Sequence, residues 1–69
     1  MDKNLFRAVM TENGDNYDTL AKKLGMSVST LSNKINEKSN NGFTQPEILK
    51  MKELYKLSAL QIDRIFFKL

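Results

Sequence analysis

Apolar residues recur every three to four positions along most of this chain, which is the spacing of helices with one buried face. Strict alternation of apolar and polar residues is absent, so the pattern predicts a compact all-α domain of five helices joined by short loops. Only the tail 64–69, with its Ile-Phe-Phe sequence, also suits a short strand. The predicted helices cover residues 3–12, 17–24, 28 to 37 or 38, 45–56 and 58–67.

The second and third predicted helices lie close together, in segment 16–37. Asn16 precedes the first of them as an N-cap, and Gly25 can take the positive φ that a tight turn requires. After the turn, Ser27 is placed to cap the third helix, which has an apolar face and a polar face. The polar face carries Ser29, Thr30, Asn33 and Asn36. Two short helices with this turn and this polar face are typical of a helix-turn-helix that binds DNA.

The third helix would supply the contacts with base edges, because the second helix of such a motif enters the major groove. Asn can pair with adenine N6 and N7, Ser can donate or accept, and Val can contact a thymine methyl group. The helix contains no Arg, so we expect a bias toward A·T pairs. The alternative is an ordinary solvated helix face. The predicted base-contacting residues are Val28, Ser29, Ser32 and Asn33.

Affinity for DNA also requires phosphate contacts. The net charge of +3 permits a polyanionic partner without demanding one. The start of the second helix and the end of the third helix are the natural places for such contacts. The alternatives are an exposed ring for Tyr17, a simple turn for the Asn-rich loop, and a solvated face for Lys22 and Lys23. The predicted phosphate-contacting residues are Asn16, Tyr17, Lys34, Asn36, Lys38 and Asn40.

The segment LAKKLGMSVSTLS at 20–32 resembles the helix-turn-helix of the Cro/repressor (XRE) family. The later segments FTQPEI at 43–48 and LSALQIDRIFF at 57–67 are similar to small phage-type repressors of Gram-positive bacteria. The resemblance covers about residues 3 to 67. It implies a five-helix repressor fold, operator binding as a homodimer, and transcriptional control, often of a lysogeny switch.

By position in that family's motif, Val28, Ser29 and Asn33 correspond to residues that contact bases. Asn16, Tyr17 and Asn36 correspond to residues that contact the DNA backbone. Lys34 departs from the family pattern, which often has an apolar residue there. We expect the stem of Lys34 to cover the core while its amine points toward phosphate.

The last predicted helix has two apolar faces. Ile62, Ile65 and Phe66 share one face, whereas Leu60 and Phe67, seven residues apart, share another. A helix with two apolar faces is buried on both sides or has a second partner. Leu60 and Phe67 therefore either complete the core or form a homodimer interface, at least on DNA.

Several classes of function find no support in the composition. The chain has no Cys and no His, which argues against disulfides, zinc fingers and imidazole catalysis. The sequence contains neither a phosphate-binding Gly-rich loop nor a convergent pair of acids. We therefore expect no enzyme activity, no cofactor, no metal and no small-molecule ligand. Neither a membrane span nor a signal peptide is indicated, so we expect a single domain, residues 1–69, in the bacterial cytoplasm or nucleoid.

Two functions remain at this point. The first is a sequence-specific DNA-binding transcriptional regulator, a Cro-like repressor, that binds a pseudo-palindromic operator of double-stranded DNA through the major groove. The alternative keeps the helix-turn-helix fold but binds protein, as an antitoxin-like or antirepressor partner would. That alternative predicts a large exposed apolar patch and weak DNA binding.

Overall fold

The computed structural model describes residues 1–36 and 42–67, and every regular element in them is helical. The prediction of an all-α domain is therefore confirmed. The elements are α1 (Lys3–Glu12), α2 (Tyr17–Leu24), α3 (Val28–Asn36), α4 (Gln45–Tyr55) and α5 (Ala59–Ile62), and α5 continues as a π-helical turn, Asp63–Phe67. None of the helices in the described residues combines the length and the apolarity that crossing a membrane requires.

Side-chain caps fix where the helices begin. Asp2 accepts a hydrogen bond from the backbone N–H of Leu5 at the start of α1. Asn16, Thr44 and Ser58 form reciprocal capping boxes with the third residue of α2, α4 and α5. Each cap satisfies backbone N–H groups that the helix itself cannot pair, so these starts are determined by local sequence.

One apolar core joins all the helices. Helix α2 packs against both α3 and α4, while α1 packs against the π-helical turn. The backbone N–H of Asp2 donates to the carbonyl of Ile65 over 2.8 Å, which ties the start of the chain to that turn. The side chains with almost no exposed surface are Phe6, Leu20, Leu31, Ile35, Met51 and Ile65.

Two details of α4 differ from the sequence-based expectation. The helix ends at Tyr55 because Lys56 adopts a left-handed conformation, with φ of 53°, in which the helix cannot continue. Apolar spacing along α4 predicts an inward position for Leu54 as well, and that prediction is wrong, since this side chain is exposed. At 100° per residue the buried side chains Ile48, Met51 and Tyr55 span a narrow arc, and Leu54 lies outside it.

The C-terminal segment is helical through Phe67, so the alternative of a short strand is wrong for the described part of 64–69. Its geometry changes at Asp63, where α-helical turns give way to wider π-helical ones. Ile65 is buried, and Phe66 packs edge-on against Phe6 and Phe43, with ring centroids 6.2 and 5.6 Å apart. Phe67 is left on the surface.

Candidate nucleic-acid interface

The turn between α2 and α3 begins with the positive φ that the sequence predicts for Gly25. Gly25 has φ of 72°, a conformation that L side chains adopt only with strain. The N–H of Gly25 donates to the carbonyl of Lys22 over 3.2 Å, and that of Met26 donates to Ala21 over 3.0 Å. Half-buried Met26 packs on the core, so the turn is closed by backbone bonds and by an apolar contact.

Two polar side chains, those of Ser27 and Thr30, form the cap at the start of helix α3. Ser27 Oγ accepts a hydrogen bond from the backbone N–H of Thr30 over 3.1 Å and lies 2.9 Å from the Thr30 hydroxyl. This confirms Ser27 as the N-cap. Thr30 is consequently turned back toward the cap, and Leu31 and Ile35 on the opposite face are fully buried.

The outer face of α3 presents Val28, Ser29 and Asn33, which are all exposed. Within residues 1–36 and 42–67, no hydrogen bond occupies the side chains of Ser29 and Asn33. An amide, a hydroxyl and an apolar branched side chain therefore remain available on a rigid surface. That these groups contact bases stays a prediction.

Ser32 and Asn36, further along α3, are half-buried and bonded to each other. Asn36 Nδ2 donates to the carbonyl oxygen of Ser32 over 2.9 Å and to its hydroxyl oxygen over 3.3 Å. The amide of Asn36 is thus directed back along its own helix. The predicted roles of Ser32 at bases and Asn36 at phosphate require these side chains to leave this arrangement or to share it with DNA.

The predicted phosphate contacts at the start of α2 lie beside a cation from α1. Asn16 Oδ1 accepts a hydrogen bond from the backbone N–H of Thr19 over 2.9 Å. The side-chain nitrogen of Asn16, Nδ2, has no partner among the described residues. Tyr17 is half-buried, and its hydroxyl oxygen accepts a hydrogen bond from Arg7 Nε over 3.2 Å. Arg7 is not among the residues that the sequence predicts to contact DNA.

Lys34 forms an ion pair that the sequence did not indicate. Its Nζ lies 3.1 Å from Glu47 Oε1, and the two side chains are only 14% and 24% exposed. The same oxygen accepts the N–H of Thr44 over 2.8 Å. Burial raises the pKa of Glu47, but the bonds from Thr44 and Lys34 outweigh it and leave that pKa below the ordinary value. A phosphate contact by Lys34 stays a prediction, and it would have to compete with Glu47.

The remaining predicted contacts divide into two groups. Lys38 and Asn40 lie outside the described residues. Leu60 and Phe67, the predicted dimer contacts, are on the surface, with 59% and 51% of their area exposed. They do not complete the core of a single chain, but their contact with a second copy stays a prediction.

The structure also contains a buried carboxylate, Asp15, that the sequence did not indicate. The side chain of Asp15 is 3% exposed, and its oxygens accept bonds from Lys23 Nζ at 2.8 and 3.0 Å. Tyr55 Oη donates over 2.7 Å from α4, and Thr19 Oγ1 donates over 2.9 Å. Lys23, and then Tyr55, hold the pKa of Asp15 below its ordinary value, while burial raises that of Tyr55.

No group of three or more acidic side chains in residues 1–36 and 42–67 could hold a metal ion. Comparisons with models of protein families, with curated proteins and with solved structures return no match for this chain.

Proposed function

We propose that this protein is a sequence-specific DNA-binding transcriptional regulator of Cro type, which acts as a homodimer on a pseudo-palindromic operator in the bacterial cytoplasm or nucleoid. The observation that carries the proposal is the outer face of α3. Val28, Ser29 and Asn33 are exposed and unoccupied there, on a helix whose other face is fully buried. The buried face holds α3 in place, and base recognition requires side chains on a rigid element.

The N-terminal half of α3 would enter the major groove, as the second helix of a helix-turn-helix does. Asn33 can form a bidentate pair with adenine, Ser29 can donate or accept, and Val28 can contact a thymine methyl group. The described part of α3 contains no Arg, the usual partner of guanine. The operator half-site is accordingly expected to be rich in A·T pairs.

The small number of base contacts that one copy can make also favours two copies on DNA. A helix-turn-helix dimer places its recognition helices in half-sites about 34–36 Å apart, one turn of the double helix. Each copy contributes few base contacts, so one domain alone should bind weakly and two should occupy a promoter more effectively. The exposed Leu60 and Phe67 offer an apolar surface for pairing.

A second candidate function is a protein-interaction module that keeps this fold. The same surface favours it, because Leu60 and Phe67 could contact a different protein instead of a second copy. In that case α3 would show no preference among DNA sequences.

The two functions are separated by selecting duplexes from a random pool and measuring affinity by mobility shift. Asn33→Ala should weaken binding to the selected site by about 1–3 kcal/mol and leave binding to random duplexes nearly unchanged. Asn4→Ala, which truncates an exposed Asn of α1, is the matched control and should change neither affinity. Equal weakening on all sequences would remove Asn33 from base contact. A wild-type protein that binds no duplex would exclude the DNA-binding function.

A further inference from the structure

Arg7 is a cation that the fold brings to the predicted phosphate contacts from another helix. It is exposed on α1, and its Nε donates to the hydroxyl oxygen of Tyr17, the first residue of α2, over 3.2 Å. Ten residues separate the two in sequence. Their proximity therefore depends on the way α1 packs beside α2.

Two cations of α2 and α3 differ from Arg7 in their partners. Lys23 is bound by both oxygens of Asp15, and Lys34 is bound by Glu47, so carboxylates compensate both charges. In the described part of the chain, by contrast, no carboxylate pairs with Arg7, and its hydrogen-bond partner is a neutral phenol. Arg7 consequently keeps its full charge for an external anion.

The donor groups of this pair are also suitable for a phosphate. A guanidinium has five N–H donors, and the bond to Tyr17 uses only the one on Nε. The two terminal amino groups stay available, in the planar fork that matches phosphate oxygens. Because the Tyr17 oxygen acts as an acceptor toward Arg7, its own O–H proton is free to donate in another direction.

We propose that Arg7 and Tyr17 form a phosphate-binding pair that contacts the DNA backbone beside the half-site contacted by α3. The inference rests on the proposed function and deepens it by naming the residue that supplies charge at this point. The first helix of a helix-turn-helix crosses the DNA backbone, and Tyr17 begins that helix here. The contact is independent of sequence, so it adds affinity and sets orientation without selecting bases.

The test is the salt dependence of affinity, measured on the selected site and on a random duplex. Arg7→Gln should lower the slope of log K against log salt by about 0.9 for each bound subunit, which is about eightfold in affinity at 0.1 M salt. Tyr17→Phe should keep the slope and weaken binding severalfold, because it removes a neutral donor. Lys52→Gln removes an exposed cation of α4 and is the matched control, with an unchanged slope.

A further variant separates charge from geometry. Arg7→Lys keeps the charge but loses the fork and the Nε bond, so its slope should equal that of the wild type while its affinity falls.

If the wild type binds DNA and Arg7→Gln lowers the slope no more than Lys52→Gln does, this inference is wrong and the proposed function stands. If the wild type binds no duplex, both fail. Circular dichroism melts would establish that each variant is folded.

Discussion

Asp15 is a charged side chain that the fold encloses, and its three partners come from two helices. Lys23 and Thr19 belong to α2, and Tyr55 belongs to α4. An enclosed carboxylate is tolerated only when hydrogen bonds replace its hydration, and three side chains do so here. The network therefore holds α2 against α4.

Removing the hydroxyl of Tyr55 should show how much this network contributes to the stability of the fold. Tyr55→Phe leaves the Asp15 carboxylate buried with one donor fewer, so the free energy of unfolding should fall by about 1.5–3 kcal/mol at pH 7. Urea denaturation measures it. Tyr17→Phe is the matched control, because its hydroxyl lies on the surface, and it should change stability by less than about 0.5 kcal/mol. Equal effects of the two substitutions would contradict a special role for the buried bond.

The pKa of Asp15 gives the same network a pH dependence. Because the folded pKa lies below the unfolded value of about 3.9, the carboxylate stabilises the fold fully above that value and loses this effect as pH falls through the folded pKa. Tyr55→Phe removes one cause of the lowered pKa, so its unfolding free energy should depend less steeply on pH below about 4 than that of the wild type. A parallel pH profile would show that Tyr55 does not influence the ionisation.

At the level of elements, local sequence predicts the helices because their caps and apolar spacing are local. Asn16, Ser27, Thr44 and Ser58 act within three residues of their own positions. The end of α4 was less predictable, since Lys56 adopts a conformation for which Gly is the usual signal. The change to π-helical geometry at Asp63 was not predictable, because apolar spacing does not distinguish an α-helix from a short π-helical turn.

The Lys34–Glu47 ion pair joins α3 to α4, and it determines whether Lys34 is available to DNA. Glu47→Gln retains an oxygen for the capping box but loses the charge that holds Lys34. If the freed amine reaches a phosphate, the salt dependence of DNA binding should become steeper by about 0.9 per subunit. Stability should fall by about 1–3 kcal/mol, because Lys34 loses its charged partner in a pair that is mostly buried.

Glu53→Gln is the matched control for this experiment. It removes an exposed carboxylate of the same helix that has no partner among the described residues, so it changes net charge equally without freeing a lysine. A steeper salt dependence in Glu47→Gln alone would assign the effect to Lys34. Equal changes in both variants would mean that net charge is responsible, and no change in either would mean that releasing Lys34 from Glu47 adds no phosphate contact.

At the level of the whole molecule, the sequence predicts those residues of the candidate interface whose exposure depends on one helix alone. Val28, Ser29 and Asn33 follow from the period of α3, so their exposure could be predicted. Arg7 and Glu47 could not be placed, because their neighbours Tyr17 and Lys34 belong to other helices. Apolar spacing shows which side of a helix is buried, but it carries no information about which polar side chains meet when helices pack.

Oligomeric state is a property of the whole molecule that the exposed side chains make testable. If Leu60 and Phe67 pair two copies, Phe67→Asp should shift a wild-type dimer toward monomer in sedimentation velocity, because the carboxylate would be buried without a partner. Leu49→Asp is the matched control, since Leu49 of α4 is 56% exposed against 51% for Phe67. It should leave the dimer intact.

The same two variants connect dimerisation to DNA binding. Two linked recognition helices gain affinity on an operator with two half-sites, whereas a single half-site engages only one of them. Phe67→Asp should therefore weaken binding to the full operator and leave binding to an isolated half-site unchanged, as mobility shifts would measure. If the wild type is monomeric at high concentration, the exposed Leu60 and Phe67 do not pair two copies in solution. Equal loss on both DNAs would mean that Phe67 maintains the fold of one chain.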